Sequence, residues 1–179
     1  MKVFIIYNSK TGFTKRYVDW IAEEISCSIL AYTDFDKTTI EASDMVIFCS
    51  RVHIGKIEYL NKVKPHFHNQ SKGNFIVVAT GATPATAEET INKIWENNFT
   101  ETELKTIPHF YLQGGINYEK LGFVDRTIMK IVSMLMSLTK DKTEEEVILE
   151  QAIKSSQDFS SKEYIMPLVD FVNESLNKV

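Results

Sequence analysis

The chain begins with the apolar run Val3-Phe4-Ile5-Ile6-Tyr7-Asn8, followed at once by the turn Ser9-Lys10-Thr11-Gly12-Phe13-Thr14. A run of β-branched and aromatic residues without polar alternation predicts a strand that is buried on both faces. Apolar residues then recur at helical spacing, at Val18, Ile21 and Ile25. The sequence therefore predicts a buried strand, a hydroxyl-rich turn and a helix, in that order.

The turn has the composition of a phosphate-binding loop at a helix N-terminus. Gly12 can adopt a positive φ and lets the backbone approach a ligand closely, and the first amides of the helix favour an anion. Ser9, Thr11 and Thr14 add hydroxyl donors. The alternative is a Ser/Thr-rich turn that only caps the helix. Capping accounts for Thr14 but not for the whole cluster.

Other classes of phosphate loop are excluded by what the turn lacks. It has no G-x-x-x-x-G-K-S/T pattern, so it is not the loop of an NTPase. It has no G-x-G-x-x-G after the strand, so the dinucleotide-binding fingerprint is absent. It has no cysteine, which argues against a phosphocysteine mechanism. What remains is a loop that can hold a phosphate without any side-chain cation.

Length and composition indicate an ordinary globular chain. The 179 residues, with 44% hydrophobic and 25% charged residues, fit one domain over residues 1–179 with a sizeable core. A formal net charge of −4 gives no support to nucleic-acid binding through bulk electrostatics. No uncharged apolar window is long enough to span a membrane, so no spanning helix is predicted.

Cysteine usage and the start of the chain favour a cytoplasmic location. Cys27 and Cys49 lie far apart, each in an apolar stretch. We therefore expect two buried free thiols rather than a disulfide or a metal pair. The histidines form no ligand-like group, and no metal site is predicted. The N-terminus leads directly into a strand without a signal peptide.

Strand and helix patterns alternate along the rest of the chain. Strands are predicted over residues 28–32, 44–50, 74–80 and 107–112, and helices over 57–67, 85–95 and 164–176, with a stub of helix at 38–43. This alternation implies an α/β fold whose parallel sheet is covered by helices on both faces. Ligands of such sheets bind beyond the carboxyl ends of the strands. Three loops meet there, over residues 9–14, 50–56 and 80–84.

These loops bring out a resemblance to a known family. The stretch Ser9-Lys10-Thr11-Gly12-Phe13-Thr14 matches the S/T-x-T-G-x-T phosphate loop of flavodoxin-like FMN proteins residue by residue, and the chain resembles them over nearly its whole length. The resemblance implies a doubly wound, five-stranded parallel sheet of order 2-1-3-4-5 and FMN as the ligand. It also implies that the second and third loops hold the isoalloxazine ring.

The resemblance implies cofactor contacts but no catalytic side chain. Val52, His53 and Ile54 can supply a wall for the ring, and Gly55 lets a peptide turn towards the flavin N5 edge. Arg51 and His53 depart from the acidic and aromatic surroundings of an electron carrier, although His53 can equally be an exposed loop histidine. The implied contact residues are Ser9, Lys10, Thr11, Gly12, Phe13, Thr14, Ser50, Arg51, Val52, His53, Ile54, Gly55, Thr80, Gly81, Ala82 and Thr83.

A segment of residues 117–163 separates the fifth strand from the last helix, and it is longer than a plain connection in a compact domain. Within this helical insert, residues 121–138 predict a helix whose apolar surface is wider than one core-facing stripe. Such a helix can pack within its own domain, form a homodimer, contact a membrane surface or line a substrate site. The sequence leaves these alternatives open.

The insert extends the resemblance to one group within these flavodoxin-like proteins. Gly115-Ile116-Asn117-Tyr118, Phe123-Val124-Asp125-Arg126 and Met129-Lys130-Ile131 resemble the tail of bacterial, flavodoxin-type, menaquinone-dependent protoporphyrinogen oxidases. That resemblance implies oxidation of a porphyrinogen, with FMN passing electrons to a quinone, and peripheral contact with the inner face of the membrane.

Two other hypotheses remain beside this one. The first is a flavodoxin-type electron carrier that serves a redox partner protein and has no substrate of its own; a net charge of only −4 speaks mildly against it. The second is a regulatory module that keeps the fold but has lost FMN, and the intact hydroxyl loop argues against it.

Overall fold

The structure, a computed structural model, describes residues 1–36, 44–67, 74–120, 122 and 156–177. Two predicted elements fall outside these ranges. They are the stub of helix at residues 38–43 and, apart from Gly122, the helix at residues 121–138. The helical character of the insert therefore stays a prediction.

A parallel sheet forms the centre of the chain. The strands of the described ranges are β1 (Val3–Asn8), β2 (Ser28–Ala31), β3 (Met45–His53), β4 (Lys56–Ile57), β5 (Phe75–Gly81), β6 (His109–Gln113), β7 (Gly115–Ile116) and β8 (Gln157–Asp158). The central strands follow one another in space in the order β2-β1-β3-β5-β6, and all neighbours along this path are parallel. Because β4 is a short addition to β3, this path is the predicted order 2-1-3-4-5, which is confirmed.

Helices cover both faces of this sheet, as predicted. In the part of the chain that the structure describes, the α-helices are α1 (Phe13–Glu24), α2 (Leu60–Val63), α3 (Glu88–Asn98), α4 (Glu101–Thr106) and α5 (Met166–Asn177). Helices α1 and α5 pack on one face, and α2 and α3 pack on the other. Short 3-10 turns lie at Tyr32–Asp34, Lys64–Phe67, Tyr118–Lys120 and Lys162–Ile165.

Successive residues of the central strands alternate between two hydrophobic cores. In β1, Ile5 belongs to the core under α1 and α5, and Ile6 belongs to the core under α2 and α3. In β3, Ile47 and Phe48 repeat this division. Side chains of a strand point alternately to opposite faces. An uninterrupted apolar run is therefore what a sheet covered on both faces requires.

The predicted helix over residues 57–67 is wrong at its start. Lys56–Ile57 is β4, which pairs antiparallel with the end of β3, and α2 begins only at Leu60. Tyr59 precedes it with a left-handed φ of 62°. The α-helix ends at Val63 and continues as a 3-10 turn over Lys64–Phe67, which contains Pro65.

Two other elements are shifted, and one was not predicted. The helix expected over residues 85–95 lies at Glu88–Asn98, and the fifth strand begins at His109, since Pro108 has no amide for a ladder. Helix α4 was missed, although its T-x-x-E start is a sequence signal for a capping box. The Thr100 hydroxyl accepts from the Glu103 amide at 3.3 Å, and the Glu103 carboxylate accepts from the Thr100 amide at 2.8 Å.

The two cysteines are free, as expected, but they differ in burial. Cys49 is buried in β3, and Cys27 is half-buried. Burial raises the pKa of both thiols above the ordinary range, so both favour the protonated form at neutral pH. None of the helices in the described ranges combines the length and the apolar content that crossing a bilayer requires.

Candidate functional site

A cleft of about 240 Å³ opens at the carboxyl ends of the strands. At this point the chain passes from β2, on one side of β1, to β3, on the other side. The loops after β1 and β3 therefore part and leave a crevice, as in other open parallel sheets. The cleft is lined by Thr11, Phe13, Thr14, Arg51, Val52, His53, Ile54, Thr80, Gly81, Ala82, Gly114, Gly115, Ile116 and Asn117.

The cleft brings together residues of all three predicted loops. Six of the residues predicted to contact the cofactor do not line the cleft: Ser9, Lys10, Gly12, Ser50, Gly55 and Thr83.

A fourth wall of the cleft, which was not predicted from the sequence, consists of the residues that follow β6, from Gly114 to Asn117. The available signal was the glycine pair directly after a predicted strand, because such a pair permits close backbone approach.

The first loop has the geometry of a helix N-terminus that is open to a ligand. Gly12 is the N-cap of α1 and has a φ of 100°, as its predicted role requires. The Ser9 hydroxyl accepts from the Lys15 amide at 3.2 Å, so Ser9 caps the helix rather than Thr14. The amides of Phe13 and Thr14 have no acceptor within the helix, because they belong to its first turn. These amides and the helix dipole can hold an anion.

The Thr14 hydroxyl joins the first loop to the third. Its oxygen lies 2.6 Å from the Thr80 hydroxyl oxygen, and both side chains are buried. Only one of the two hydroxyl hydrogens is used between these oxygens, so the pair keeps one hydrogen that can be donated elsewhere. The hydroxyl of Thr11, which is half-buried at the cleft, is a further donor.

The second predicted loop is mostly strand, which corrects the expectation for residues 50–55. Ser50, Arg51, Val52 and His53 continue β3, and only Ile54 and Gly55 form a turn into β4. Their φ values of 50° and 70° are both left-handed, which is typical of a two-residue hairpin turn. A β-branched residue at positive φ is strained, and Ile54 is also 73% exposed.

A carboxylate that was not predicted for the site holds Arg51. The Arg51 Nε and Nη2 atoms donate to the Glu58 carboxylate at 2.8 and 2.6 Å, and Asn8 Nδ2 donates to it at 3.0 Å. The hydrogen bonds from Arg51 hold the pKa of the Glu58 carboxyl below its usual range. His53 Nδ1 lies 3.9 Å from the same carboxylate. No sequence motif marks Glu58, because only the hairpin brings it back beside Arg51.

The third loop is held in place by β6. The Tyr111 hydroxyl donates to the Thr83 carbonyl at 3.0 Å, and the Gly114 amide donates to the Gly81 carbonyl at 2.7 Å. A Cβ placed on Gly81 would lie 2.8 Å from the Tyr111 hydroxyl oxygen, so a side chain at this position would displace the Tyr111 phenol. Burial raises the pKa of Tyr111 to about 12, which keeps the phenol a donor at neutral pH.

Both ends of the 117–163 segment are fastened to the rest of the chain near the cleft. Strand β7 pairs with β8, and a Cβ on Gly115 would lie 2.0 Å from the Gln157 carbonyl oxygen. Arg16 of α1 forms an ion pair with Asp158, and its Nη1 donates to the Ser160 hydroxyl at 2.7 Å. The segment therefore leaves and rejoins the fold beside the first loop.

Comparison with solved structures finds similar chains at low identity. One is a flavodoxin from the domain Archaea, with 12% identity over 64% of this chain and 85% of that chain, at a TM-score of 0.41. Smu.1420 from Streptococcus mutans UA159 has 15% identity over 86% of this chain and 96% of that chain, at a TM-score of 0.44. The Trp repressor binding protein from Bacillus subtilis has 9% identity over 86% of this chain and 95% of that chain, at a TM-score of 0.38. Comparison with curated proteins finds no significant match.

Comparison with protein families is decisive for the assignment of the chain. Residues 4–146 match the family described as a flavodoxin domain. The matched range contains β1, the first loop, the β3–β4 hairpin, the third loop and the residues after β6, which together build the cleft. The sheet order and the position of the cleft agree with this match. The chain therefore belongs to the flavodoxin domain family.

Proposed function

We propose that the chain binds FMN in the cleft and acts as an FMN-dependent oxidoreductase. The observation that carries the proposal is that one continuous site offers an anion loop and an apolar-walled crevice, which share Thr11, Phe13 and Thr14. FMN has a phosphate at one end and a planar ring at the other. The two parts of the site match these two parts of the ligand.

The donor set of the site suits a flavin phosphate. The loop from Ser9 to Thr14 contains hydroxyls, amides and one lysine but no carboxylate, so it does not repel an anion. Gly12 holds the left-handed conformation that turns the first amides of α1 outwards. Gly81 and Gly114 line the third and fourth walls of the cleft, where the lack of a side chain lets Tyr111 and Phe13 pack against the backbone.

The residues of the cleft have separable roles in this proposal. FMN, when bound, supplies the transfer of hydride or single electrons. Val52 and Ile54 exclude water from one side of the cleft, and the backbone of Gly81 bounds another side. Glu58 keeps the Arg51 guanidinium oriented through two hydrogen bonds. His53, whose side chain is 34% exposed, lies at the rim of the cleft with its Nδ1 3.9 Å from the Glu58 carboxylate.

The proposal also specifies the electron donor and the electron acceptor. We infer from the resemblance of the tail that the electron donor is a porphyrinogen and the acceptor a quinone, and that residues 121–138 provide peripheral membrane contact or a homodimer surface. Apart from Gly122, residues 121–138 lie outside the described part of the chain, so this part of the proposal rests on the sequence alone.

A flavin titration tests the first part of the proposal. The purified chain is titrated with FMN and followed by visible absorption and by quenching of flavin fluorescence. We expect saturable binding, with loss of binding in Gly12→Val, because a branched side chain is strongly disfavoured at a φ of 100°. Absence of binding at micromolar FMN would show that the first loop only caps α1.

Anaerobic reduction of the bound flavin tests the reaction. We expect a porphyrinogen to reduce it directly, without a second protein, and a quinone then to reoxidise it. Reduction only by a donor enzyme would instead identify an electron carrier without a substrate of its own. Flotation with liposomes that contain anionic lipids then measures membrane contact. Sedimentation measures dimerisation, so the two experiments separate these alternatives.

A further inference from the structure

A second cleft, of about 320 Å³, opens directly beside the first. The two clefts share the wall formed by Thr11, Phe13, Ile116 and Asn117. The rest of the second cleft is lined by Gly12, Arg16, Lys120, Ser156, Gln157 and Asp158. It therefore lies between the N-terminus of α1 and the two ends of the 117–163 segment.

The side chain of Lys120 lies beside the first loop, although the two are far apart in sequence. A Cβ placed on Gly12 would lie 3.7 Å from Lys120 Nζ. The lysine is set at this point by a 3-10 turn, in which its amide donates to the Asn117 carbonyl at 3.1 Å and to Asn117 Oδ1 at 3.2 Å. Its ammonium therefore lies beside Gly12, the residue that precedes the open amides of the first turn, in the same cleft.

Lys120 supplies the net positive charge of the side chains that line the second cleft. Arg16 forms an ion pair with Asp158, so these two charges largely cancel at long range. Among the described residues, no carboxylate forms an ion pair with Lys120 Nζ. The first loop lines the two clefts with amides and hydroxyls that carry no formal charge, since its Lys10 is not in the lining of either cleft. Among the residues that line the clefts, a dianionic phosphate at Gly12 would therefore meet neutral donors from the loop and one positive charge from Lys120.

We propose that Lys120 donates to the phosphate of FMN and thereby makes the chain select phosphorylated flavin over riboflavin. This inference rests on the proposed binding of FMN. Hydrogen bonds between a cation and a phosphate are stronger than those from neutral donors. The consequence is that the first turn of the 117–163 segment belongs to the cofactor site, although it lies more than one hundred residues from the loop in sequence.

The test measures the dissociation constants of FMN and riboflavin for the same set of variants. We expect Lys120→Gln to weaken FMN binding by about tenfold, and riboflavin binding by less than about twofold. Lys120→Arg should restore most of the FMN affinity, because a guanidinium also binds phosphate. The matched control is Lys105→Gln, an exposed lysine of α4 away from both clefts. The difference between wild type and Lys120→Gln should shrink as salt is added.

The possible failures are distinguishable. If Lys120→Gln weakens FMN and riboflavin equally, or weakens neither, the role of Lys120 is wrong and the FMN proposal stands. If Lys105→Gln weakens FMN binding as much as Lys120→Gln, the effect is general electrostatics and the inference also fails. If the wild-type chain binds neither flavin, the proposed function and this inference fall together.

Discussion

At the scale of single residues, Glu58 organises the polar side of the cleft. Its carboxylate accepts from Arg51 and Asn8, and its backbone carbonyl accepts from the Ser50 hydroxyl at 2.8 Å. These contacts join the end of β1 to the end of β3. Since the Arg51 side chain is only 13% exposed, its charge needs a partner, and removal of the partner is costly.

We expect Glu58→Gln to lower the free energy of unfolding by roughly 1–2 kcal/mol near neutral pH. The pKa of Glu58 is depressed in the folded state, so its stabilisation is present above the unfolded-state pKa. It is lost as the pH falls through the folded-state pKa. Urea unfolding of wild type and variant, repeated towards acid, should show the difference narrowing. Glu23→Gln, which breaks an exposed pair with Lys162, is the control and should cost little.

Ile54 should show opposite effects on stability and on binding. Ile54→Asn relieves a left-handed β-branched residue and gives the turn the Asn-Gly pair that such hairpins favour. The unliganded chain should gain up to about 1 kcal/mol, while FMN affinity falls because an apolar wall is lost. Thermal unfolding and flavin titration measure the two effects. Tyr59→Asn, at a φ of 62° outside the cleft lining, should leave FMN affinity unchanged.

At the scale of elements, α1 anchors both the cofactor loop and the end of the 117–163 segment. Its Tyr17 hydroxyl donates to the Gln113 carbonyl and accepts from the Ser161 amide at 3.2 Å. The first contact fixes the end of β6, and the second fixes the return of the segment before α5. One buried side chain thus joins three elements around the cleft.

We expect Tyr17→Phe to destabilise the chain by about 1–2 kcal/mol, because it leaves two backbone groups without their partner. Burial raises the pKa of Tyr17 to about 12, so the stabilisation is present below the unfolded-state pKa and is lost as pH rises towards 12. The variant should therefore lose less stability in alkali than wild type. Hydrogen exchange at the Ser161 amide provides a local measurement. Unchanged exchange there would contradict the anchoring role.

At the scale of the whole molecule, the candidate site exists only in the folded chain. The cleft combines residues at or just after the ends of β1, β3, β5 and β6, and the second cleft adds residues from both ends of the 117–163 segment. An unfolded chain cannot bring these groups together. A ligand of the cleft must therefore stabilise the fold by mass action.

FMN should raise the free energy of unfolding by about 2.7 kcal/mol when its free concentration is about a hundred times its dissociation constant. Unfolding curves at several FMN concentrations give this increment, which should agree with the dissociation constant from fluorescence titration. Gly12→Val is the control and should lose the increment even though it also destabilises the unliganded chain. A wild-type increment that did not depend on FMN concentration would argue against a specific site.

The order of elements and the first loop could be predicted from sequence because both depend on local features. The apolar run from Val3 to Asn8 has no polar alternation, which only a doubly covered strand permits. Alternating strands and helices with right-handed crossovers leave few topologies, and the observed sheet order is one of them. Gly12 and its neighbouring hydroxyls define an anion loop within a few residues.

Only the tertiary structure decided how distant residues meet at that loop. The β3–β4 hairpin places Glu58 beside Arg51, and β6 supports the third loop through Tyr111. The turn at residues 118–120 carries Lys120 to Gly12. No local periodicity encodes these contacts, because each depends on strand register or on chain closure over long sequence separation. The sequence by itself determined the fold and the anion loop, and the packing of remote segments decided which charges surround that loop.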